Sequence, residues 1–357
     1  MRACADNLSR WPVLCCSICA ALVLSVLFCP GAGARVKGPC NSCHTMHNSQ
    51  GGQPMAKDDN GNPINTPYEA LLISSCLGCH SSSTSQTIVT TSWGETPIVN
   101  NLIAPVNPLA GGNFYYSSGS YTYTNGHYSV GDTGHNLTAS TLPYGGGFIN
   151  STAPNAYNGP LRCSGTHGCH GYNGGHGEAP DNSYIDAIKG GHHGKTSPMD
   201  GSTVARSYRM LYGITGVEDP NWEQANSNTA HNQYQGGTSS TQNNTISYLC
   251  AECHGNFHSS TGTGGSDPWI RHPTDIVLPA SGEYASYTVY NMNAPVARQN
   301  PSTASETVVT PGSDVIMCLT CHRAHASPWY KGLRWDFANS SLTTAISGCN
   351  VCHTSKN

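Results

Sequence analysis

Six short cysteine–histidine motifs dominate this sequence of 357 residues. Five have the form C-x-x-C-H, and the third has five residues between its cysteines. The motifs use every cysteine after residue 34: Cys40, Cys43, Cys76, Cys79, Cys163, Cys169, Cys250, Cys253, Cys318, Cys321, Cys349 and Cys352. A histidine follows the second cysteine each time: His44, His80, His170, His254, His322 and His353. A disulfide framework would give no reason for that histidine.

This spacing predicts covalently attached haem c. Two cysteines three positions apart can form thioethers to the vinyl groups of neighbouring pyrroles, and the adjacent histidine then reaches the iron from the same side. We therefore expect six haems c, with the motif histidines as proximal ligands. Zinc sites are the remaining alternative for such clusters. The third motif, "CSGTHGCH", is expected to fold its longer loop back at Gly165 and Gly168.

The first 34 residues have the pattern of a signal peptide. Arg2 and Arg10 precede an apolar run at 13–28, and small residues follow it before a cleavage site. The apolar run is short for a membrane span. A lipoprotein signal ending at Cys29 is the other interpretation, and the bulky phenylalanine before that cysteine disfavours it. We expect export and no membrane span after cleavage of residues 1–34.

The chain after the signal is short for the number of motifs that it carries. Its 323 residues give about 54 for each motif, too few to build an ordinary apolar core around every haem. We expect residues 35–357 to form a single body. It should be mostly irregular coil, with short helices at the motifs and few strands, wrapped around a continuous haem stack. The stretches 111–126 and 226–245 are predicted to be loops.

Eleven histidines lie outside the motifs, enough to give every haem a second axial histidine. His47 follows the first motif closely, in "CHTMH". If that motif begins a helix, the Cβ atoms of His44 and His47 are about 5–6 Å apart on one face. A distal ligand must approach iron from the opposite side of the ring. His47 is therefore predicted to bind a different, neighbouring haem, and the same argument applies to His258 and His325.

Five stretches carry a resemblance to a known family: "CNSCHTMHNSQGG", "GHN", "CAECHGNFHSS", "RHP" and "CLTCHRAHAS". They resemble the OmcS- and OmcE-type extracellular multihaem cytochromes, the cytochrome nanowires. The resemblance implies bis-histidine haems in alternating parallel and T-shaped pairs, little regular secondary structure, and head-to-tail polymerisation into a conducting filament. It also implies that His47 ligates a haem of the adjoining subunit. The implied distal ligands are His47, His135, His258, His272 and His325, with one more to find.

The region of the third motif departs from the family pattern, because "KGGHHGK" follows it and no close C-H-x-x-H does. His192 or His193 is expected to be the sixth distal ligand. His231, in "AHNQY", competes with them.

Three functions compete on these observations. The leading one is extracellular electron transfer by hopping along six haems in a homopolymeric filament, with extracellular acceptors or other cytochromes as partners. The second is a soluble periplasmic electron carrier. The third, a multihaem reductase, needs an open iron position, and the surplus of histidines argues against it. We therefore expect no enzyme and no catalytic residues. The formal charge of −5 after residue 34 gives no reason to expect nucleic acid as a partner.

Overall fold

The computed structural model describes residues 45–54, 63–67, 76–91, 94–117, 133–135, 162–165, 168–175, 188, 197–225, 227–239, 241–255, 258, 272–337 and 348–355. Several sequence predictions lie outside these ranges. They are the signal peptide at 1–34, the first motif (Cys40, Cys43 and His44), and the distal candidates His192 and His193.

Helices in the described residues are few and short. The longest has nine residues. The α-helices are α1 (Cys76–His80), α2 (Ile246–His254), α3 (Cys318–Cys321) and α4 (Cys349–Cys352). Single 3-10 turns lie at Phe114–Ser117, Val204–Arg206, Tyr208–Met210, Gly282–Ser286 and Tyr330–Gly332. None of the helices in the described part of the chain has the length and apolar character to cross a bilayer.

Strands in the described ranges pair only two at a time. They are β1 (Ser49–Gln50), β2 (Gln53–Pro54), β3 (Ser81–Ser82), β4 (Ile88–Thr91), β5 (Gly94–Pro97), β6 (Asn100–Asn101), β7 (Arg162–Ser164), β8 (Gly168–His170), β9 (Gly216–Val217), β10 (Gln233–Tyr234), β11 (Ile276–Val277) and β12 (Val315–Ile316). The pairs β1–β2, β4–β5, β9–β10 and β11–β12 are antiparallel, and β3–β6 and β7–β8 are parallel.

The fold class expected from the sequence is confirmed, because most described residues are coil and every α-helix among them lies at a motif. In the described parts of the predicted loops, 111–117 contains one 3-10 turn, and 227–239 with 241–245 contains the two-residue strand β10. Each α-helix contains the two cysteines of its motif within about one turn.

Two small apolar clusters form the core of the second half of the chain. The first contains Tyr208, Leu211, Ile214, Tyr234, Ile246, Ala297, Val315, Met317 and Leu319, and Cys169 and Cys250 pack against it. The second contains Leu278, Tyr287, Tyr290, Met292, Val296, Val309 and Ile316, and Cys352 packs against it. The motif cysteines therefore lie at the edge of protein cores. The protein builds more core of its own than the residue count per motif predicted.

Local contacts explain where the motif helices begin. The Thr245 hydroxyl accepts a hydrogen bond from the Tyr248 backbone N–H at 3.1 Å, which caps α2. At α3, the Met317 N–H donates to the Thr320 hydroxyl at 3.1 Å, and that hydroxyl donates to the Pro295 carbonyl at 2.7 Å. These bonds fix the backbone in which the cysteines are placed.

The start of α4 depends on a glycine. Gly348 has φ of +92°, and a Cβ there would lie 2.1 Å from Cδ2 of Trp335. Only glycine combines this left-handed backbone with so close an approach to an indole ring.

Candidate haem-binding sites

The third motif folds back on itself, as its glycines predict. β7 and β8 pair in parallel within the motif, with Arg162 opposite Gly168 and Ser164 opposite His170. Gly165 has φ of +80°, and its carbonyl accepts the Gly168 N–H at 2.9 Å. The enlarged loop is therefore a compact turn, in which both cysteines lie close to the motif histidine.

The five described motifs are neighbours in chain order. Burial, with a smaller contribution from Cys253 of the fourth motif, raises the pKa of the Cys169 thiol to about 12. The Cys250 and Cys318 thiols share a hydrogen bond, which raises the pKa of Cys250 and lowers that of Cys318. The fourth motif thus contacts the third and the fifth.

The sixth and the second motifs extend this series of neighbours at its two ends. Burial, with smaller contributions from Cys349 and Cys352 of the sixth motif, raises the pKa of Cys321 to about 12. At the other end, burial lowers the pKa of His170, and His80 of the second motif lowers it further. Motifs two to six therefore form one row of neighbours in chain order.

Four motif histidines have a fixed hydrogen bond at Nδ1. His80 donates to the Pro97 carbonyl at 2.7 Å, His170 to the Arg209 carbonyl at 3.0 Å, His322 to the Lys331 carbonyl at 3.0 Å, and His353 to Glu283 Oε1 at 3.0 Å. A donor role for Nδ1 makes Nε2 the unprotonated nitrogen of a neutral ring. This is the tautomer and orientation that an iron ligand needs.

Burial favours the neutral form of three motif histidines. It lowers the pKa of His80, and the hydrogen bond to Pro97 opposes this shift in part. It also lowers the pKa of His170 and of His322, again against an opposing contribution from the backbone hydrogen bond of each ring. A neutral imidazole is the form that binds a metal, so these residues fit the haem-ligand role.

Two predicted distal histidines lie near motif histidines, and the distances between the ring centroids can be compared with those expected on either side of an iron atom. The ring centroids are 6.1 Å apart for His135 and His254, and 6.3 Å apart for His272 and His353. With iron between two imidazoles, metal–nitrogen bonds of about 2 Å on each side and a centroid-to-nitrogen distance of roughly 1.15 Å give about 6.3 Å. Both spacings match an iron atom held between the two rings.

Each of these two distal candidates also donates a hydrogen bond from Nδ1. His135 Nδ1 donates to the Ala324 carbonyl at 2.6 Å, and His272 Nδ1 donates to the Pro273 carbonyl at 3.0 Å. Their Nε2 atoms are thereby left unprotonated, as in the motif histidines.

His325 and His322 do not share a helix face. α3 ends at Cys321, and His322 is extended, with φ of −112° and ψ of 158°. The argument that two such histidines bind different haems assumed a shared helix face, so it does not apply to His322 and His325. The backbone N–H of His325 instead donates to the Gly111 carbonyl at 2.7 Å, and its ring centroid lies 4.6 Å from that of Phe114. Burial, with smaller contributions from His170 and His135, lowers the pKa of His325 to about 3.

His47 lies on an exposed turn next to β1, and φ there is +51°. The buried Asn48 side chain anchors this turn by donating to the carbonyls of Ile64 and Thr66, at 2.5 and 3.0 Å. Met46, on the other side of His47, is 74% exposed. The turn is thus fixed on one side and presents Met46 and His47 outward.

His258 is buried and directs Nε2 to Asp275 Oδ2 at 2.6 Å. The Thr245 hydroxyl donates to the same carboxylate oxygen at 3.2 Å. In this arrangement the carboxylate occupies the nitrogen that the other candidates leave for iron. The distal role of His258 stays a prediction.

His231 has neither nitrogen available. Nδ1 lies 2.8 Å from the Asn232 carbonyl and Nε2 lies 3.1 Å from the Glu306 carbonyl. The side chain is fully buried, and its ring stacks on Tyr290 with centroids 3.6 Å apart. These contacts are those of a structural histidine.

Sequence reasoning missed the acceptors at Nδ1. Three are backbone carbonyls, which carry no sequence signal, and the fourth is the Glu283 side chain. The ten cysteines in the described ranges form no disulfide bonds with one another. Within those ranges, no group of three His, Cys, Asp or Glu side chains is placed to hold a bare metal ion.

Comparison with known proteins gives one sequence relative. The chain is 27% identical to the C-type cytochrome OmcS of Geobacter sulfurreducens, over 95% of this chain and 88% of the relative. No protein-family model matches the chain.

Two solved structures from the same organism also match. The outer membrane cytochrome S filament has a TM-score of 0.45 at 20% identity, and the OmcS nanowires studied by cryo-EM have 0.46 at 21%. Each match covers 87% of this chain and 86% of the other. Scores below 0.5 do not establish a common fold, so the sequence relative carries the assignment. Its near full-length similarity confirms the resemblance of this chain to the OmcS-type c-type cytochromes.

Proposed function

We propose that this protein transfers electrons outside the cell, along six covalently attached haems c, as a head-to-tail filament of identical subunits. The row formed by motifs two to six is the observation that carries the proposal. Haem c, when bound, supplies iron that changes between Fe(III) and Fe(II). The protein supplies the attachment points, the neutral axial imidazoles and the close spacing of successive sites.

Four of the described motif histidines supply imidazole rings in a fixed position. Their Nδ1 hydrogen bonds hold the rings in one tautomer and one orientation. A ring held in this way needs no reorientation when the charge at its Nε2 partner changes. A small rearrangement on electron transfer is what rapid hopping between fixed sites requires.

We assign two axial pairs from the ring spacings: His135 with His254, and His272 with His353. The contacts of His231 favour His192 or His193 as the sixth distal ligand. If two histidines bound every iron, no open position would be left for a substrate. This argues for electron transfer and against a reductase.

We further propose that His47 supplies an axial ligand to a haem of the adjoining subunit. Its turn is anchored by Asn48 and presents His47 at the surface, close to the start of the exported chain. A ligand supplied by the next subunit makes assembly and haem completion one event. Such a contact repeats head to tail without closing, which gives a helical filament.

The test combines mass and microscopy. The intact mass of the exported protein should exceed that of the polypeptide by six haems, and negative-stain images of material sheared from cells should show filaments. A mass that shows five haems, with the peptide of Cys163 and Cys169 unmodified, would remove the third site. Only soluble monomers with six haems would favour the periplasmic carrier.

His47→Ala tests the subunit contact. The variant should retain six haems, lose one axial ligand per subunit and assemble poorly. Gln53→Ala is the matched control, because this exposed side chain lies on the paired strand β2 and leaves His47 in place. Filaments of His47→Ala with every haem low-spin would show that His47 has no part in the joint.

A further inference from the structure

The sixth motif differs from the second, third and fifth in the group that lies behind its histidine. The Nδ1 acceptors of His80, His170 and His322 are neutral backbone carbonyls. The Nδ1 acceptor of His353 is the carboxylate oxygen Oε1 of Glu283, at 3.0 Å.

Glu283 is held firmly in this position. It lies in the 3-10 turn Gly282–Ser286, and its side chain is 16% exposed. The Ser355 hydroxyl donates to its second oxygen, Oε2, at 2.8 Å, and the Thr354 hydroxyl donates to its backbone carbonyl. The two residues that follow His353 thus fix the carboxylate. Each of its oxygens accepts a donor, as an ionised carboxylate does.

We propose that Glu283 lowers the reduction potential of the haem attached at Cys349 and Cys352. This inference rests on the proposed function, which places a haem there. A carboxylate that accepts the Nδ1 proton makes the imidazole a more basic ligand. A more basic ligand stabilises Fe(III) relative to Fe(II), so the haem is reduced less readily. Because Glu283 is mostly buried, solvent screens its charge only weakly.

A second described histidine also bonds to a carboxylate, and it differs in the nitrogen used. His258 contacts Asp275 through Nε2. Glu283 contacts His353 through Nδ1 and leaves Nε2 for iron, opposite His272. The potential-lowering role therefore applies to Glu283 at the sixth motif.

This bond would make the row of haems energetically uneven. The sixth motif adjoins the fifth through Cys321. An electron that arrives at the sixth haem would move on readily, because the fifth haem is held by a histidine with a neutral acceptor. Glu283 would thus prevent electrons from collecting at this end of the subunit.

Glu283→Gln is the sharpest test, because it keeps an acceptor oxygen at similar distance and removes only the charge. In a spectroelectrochemical titration of the haem-loaded protein, one component should become about tenfold easier to reduce, or about 59 mV for one electron. The other components should keep their potentials. Glu283→Asp, which keeps the charge, should recover part of the native potential.

Asp200→Asn is the control for loss of a surface charge. Asp200 is an exposed carboxylate that pairs with Arg206 at 2.6 Å, and its replacement should shift no component. Unchanged potentials in Glu283→Gln would overturn the inference. So would conversion of one haem to high spin, because Glu283 would then only hold the ligand in place.

Peptide mapping separates this inference from the proposed function. If the peptide with Cys349 and Cys352 carries a haem and the potentials do not change, the inference alone fails. If that peptide carries no haem, the proposed function fails at this site and the inference fails with it.

Discussion

Gly168→Ala tests whether the third motif depends on its folded-back loop. An alanine Cβ would lie 2.4 Å from the Ser164 nitrogen, 2.6 Å from the Ser164 Cα and 2.7 Å from the Cys163 carbonyl carbon. All three atoms belong to the backbone, so no side-chain rotation can relieve the overlap. To reach an ordinary contact of 3.4 Å, β7 and β8 must separate by about 1 Å.

The expected cost follows from this movement. Overpacking of this kind costs about 1–3 kcal/mol. The Gly168 N–H bond to Gly165 and the strand pairing are weakened as well, at about 1 kcal/mol for each bond. We therefore expect a destabilisation of about 2–4 kcal/mol. His170 lies at the end of β8, so its ring should also leave its position, and one haem should lose low-spin coordination.

The measurement combines thermal unfolding, followed by circular dichroism in the Soret region, with the high-spin fraction of the visible spectrum. Gly51→Ala is the control: Gly51 has φ of +58°, and an alanine Cβ at this position would have no neighbouring atom within 4 Å. The Gly51→Ala control should lose only the stability that a left-handed backbone costs an alanine, about 1–2 kcal/mol. If Gly168→Ala unfolds at the same temperature as this control and every haem stays low-spin, the account of the third motif is wrong.

Two further variants test the axial assignments. His272→Ala should make one haem per chain five-coordinate, because His353 loses the ring opposite it, and the reduced variant should bind carbon monoxide where the native protein binds it poorly. A native spectrum would refute that pair. His231→Phe should lower the free energy of unfolding by about 1–3 kcal/mol, since the ring N–H that donates to a neighbouring backbone carbonyl is lost, while every haem stays low-spin. Denaturant unfolding measures the change in the free energy of unfolding of His231→Phe. A new high-spin signal in this variant would indicate that His231 is an iron ligand.

The sequence alone predicts the attachment sites. Two cysteines and one histidine within a few residues form a local unit, so their spacing predicts the chemistry without knowledge of the fold. The same holds for the short helices α1 to α4 and for the loop of the third motif, where Gly165 and Gly168 stand at the positions that the turn needs. Fold class followed from the small number of residues per motif.

Contacts between distant parts of the chain could not be read in this way. His231 competed with His192 and His193 as a ligand in the sequence, and only the structure shows its burial against Tyr290 and its two carbonyl contacts. His322 and His325 were placed on one helix face by their spacing, yet α3 ends at Cys321. Helix length here depends on the tertiary contacts of neighbouring loops, and the motif does not encode it.

Tertiary structure alone decided what lies across from His254 and His353, and what lies behind four of the described motif histidines. His135 meets His254, and His272 meets His353, because the intervening loops bring separate segments together. Glu283 carries no motif, and its contact with His353 exists only because the turn Gly282–Ser286 packs beside α4. The physical reason is one of range: covalent attachment is fixed by neighbours along the chain, whereas the ligand field and charge around iron depend on groups that only folding brings within a few ångströms.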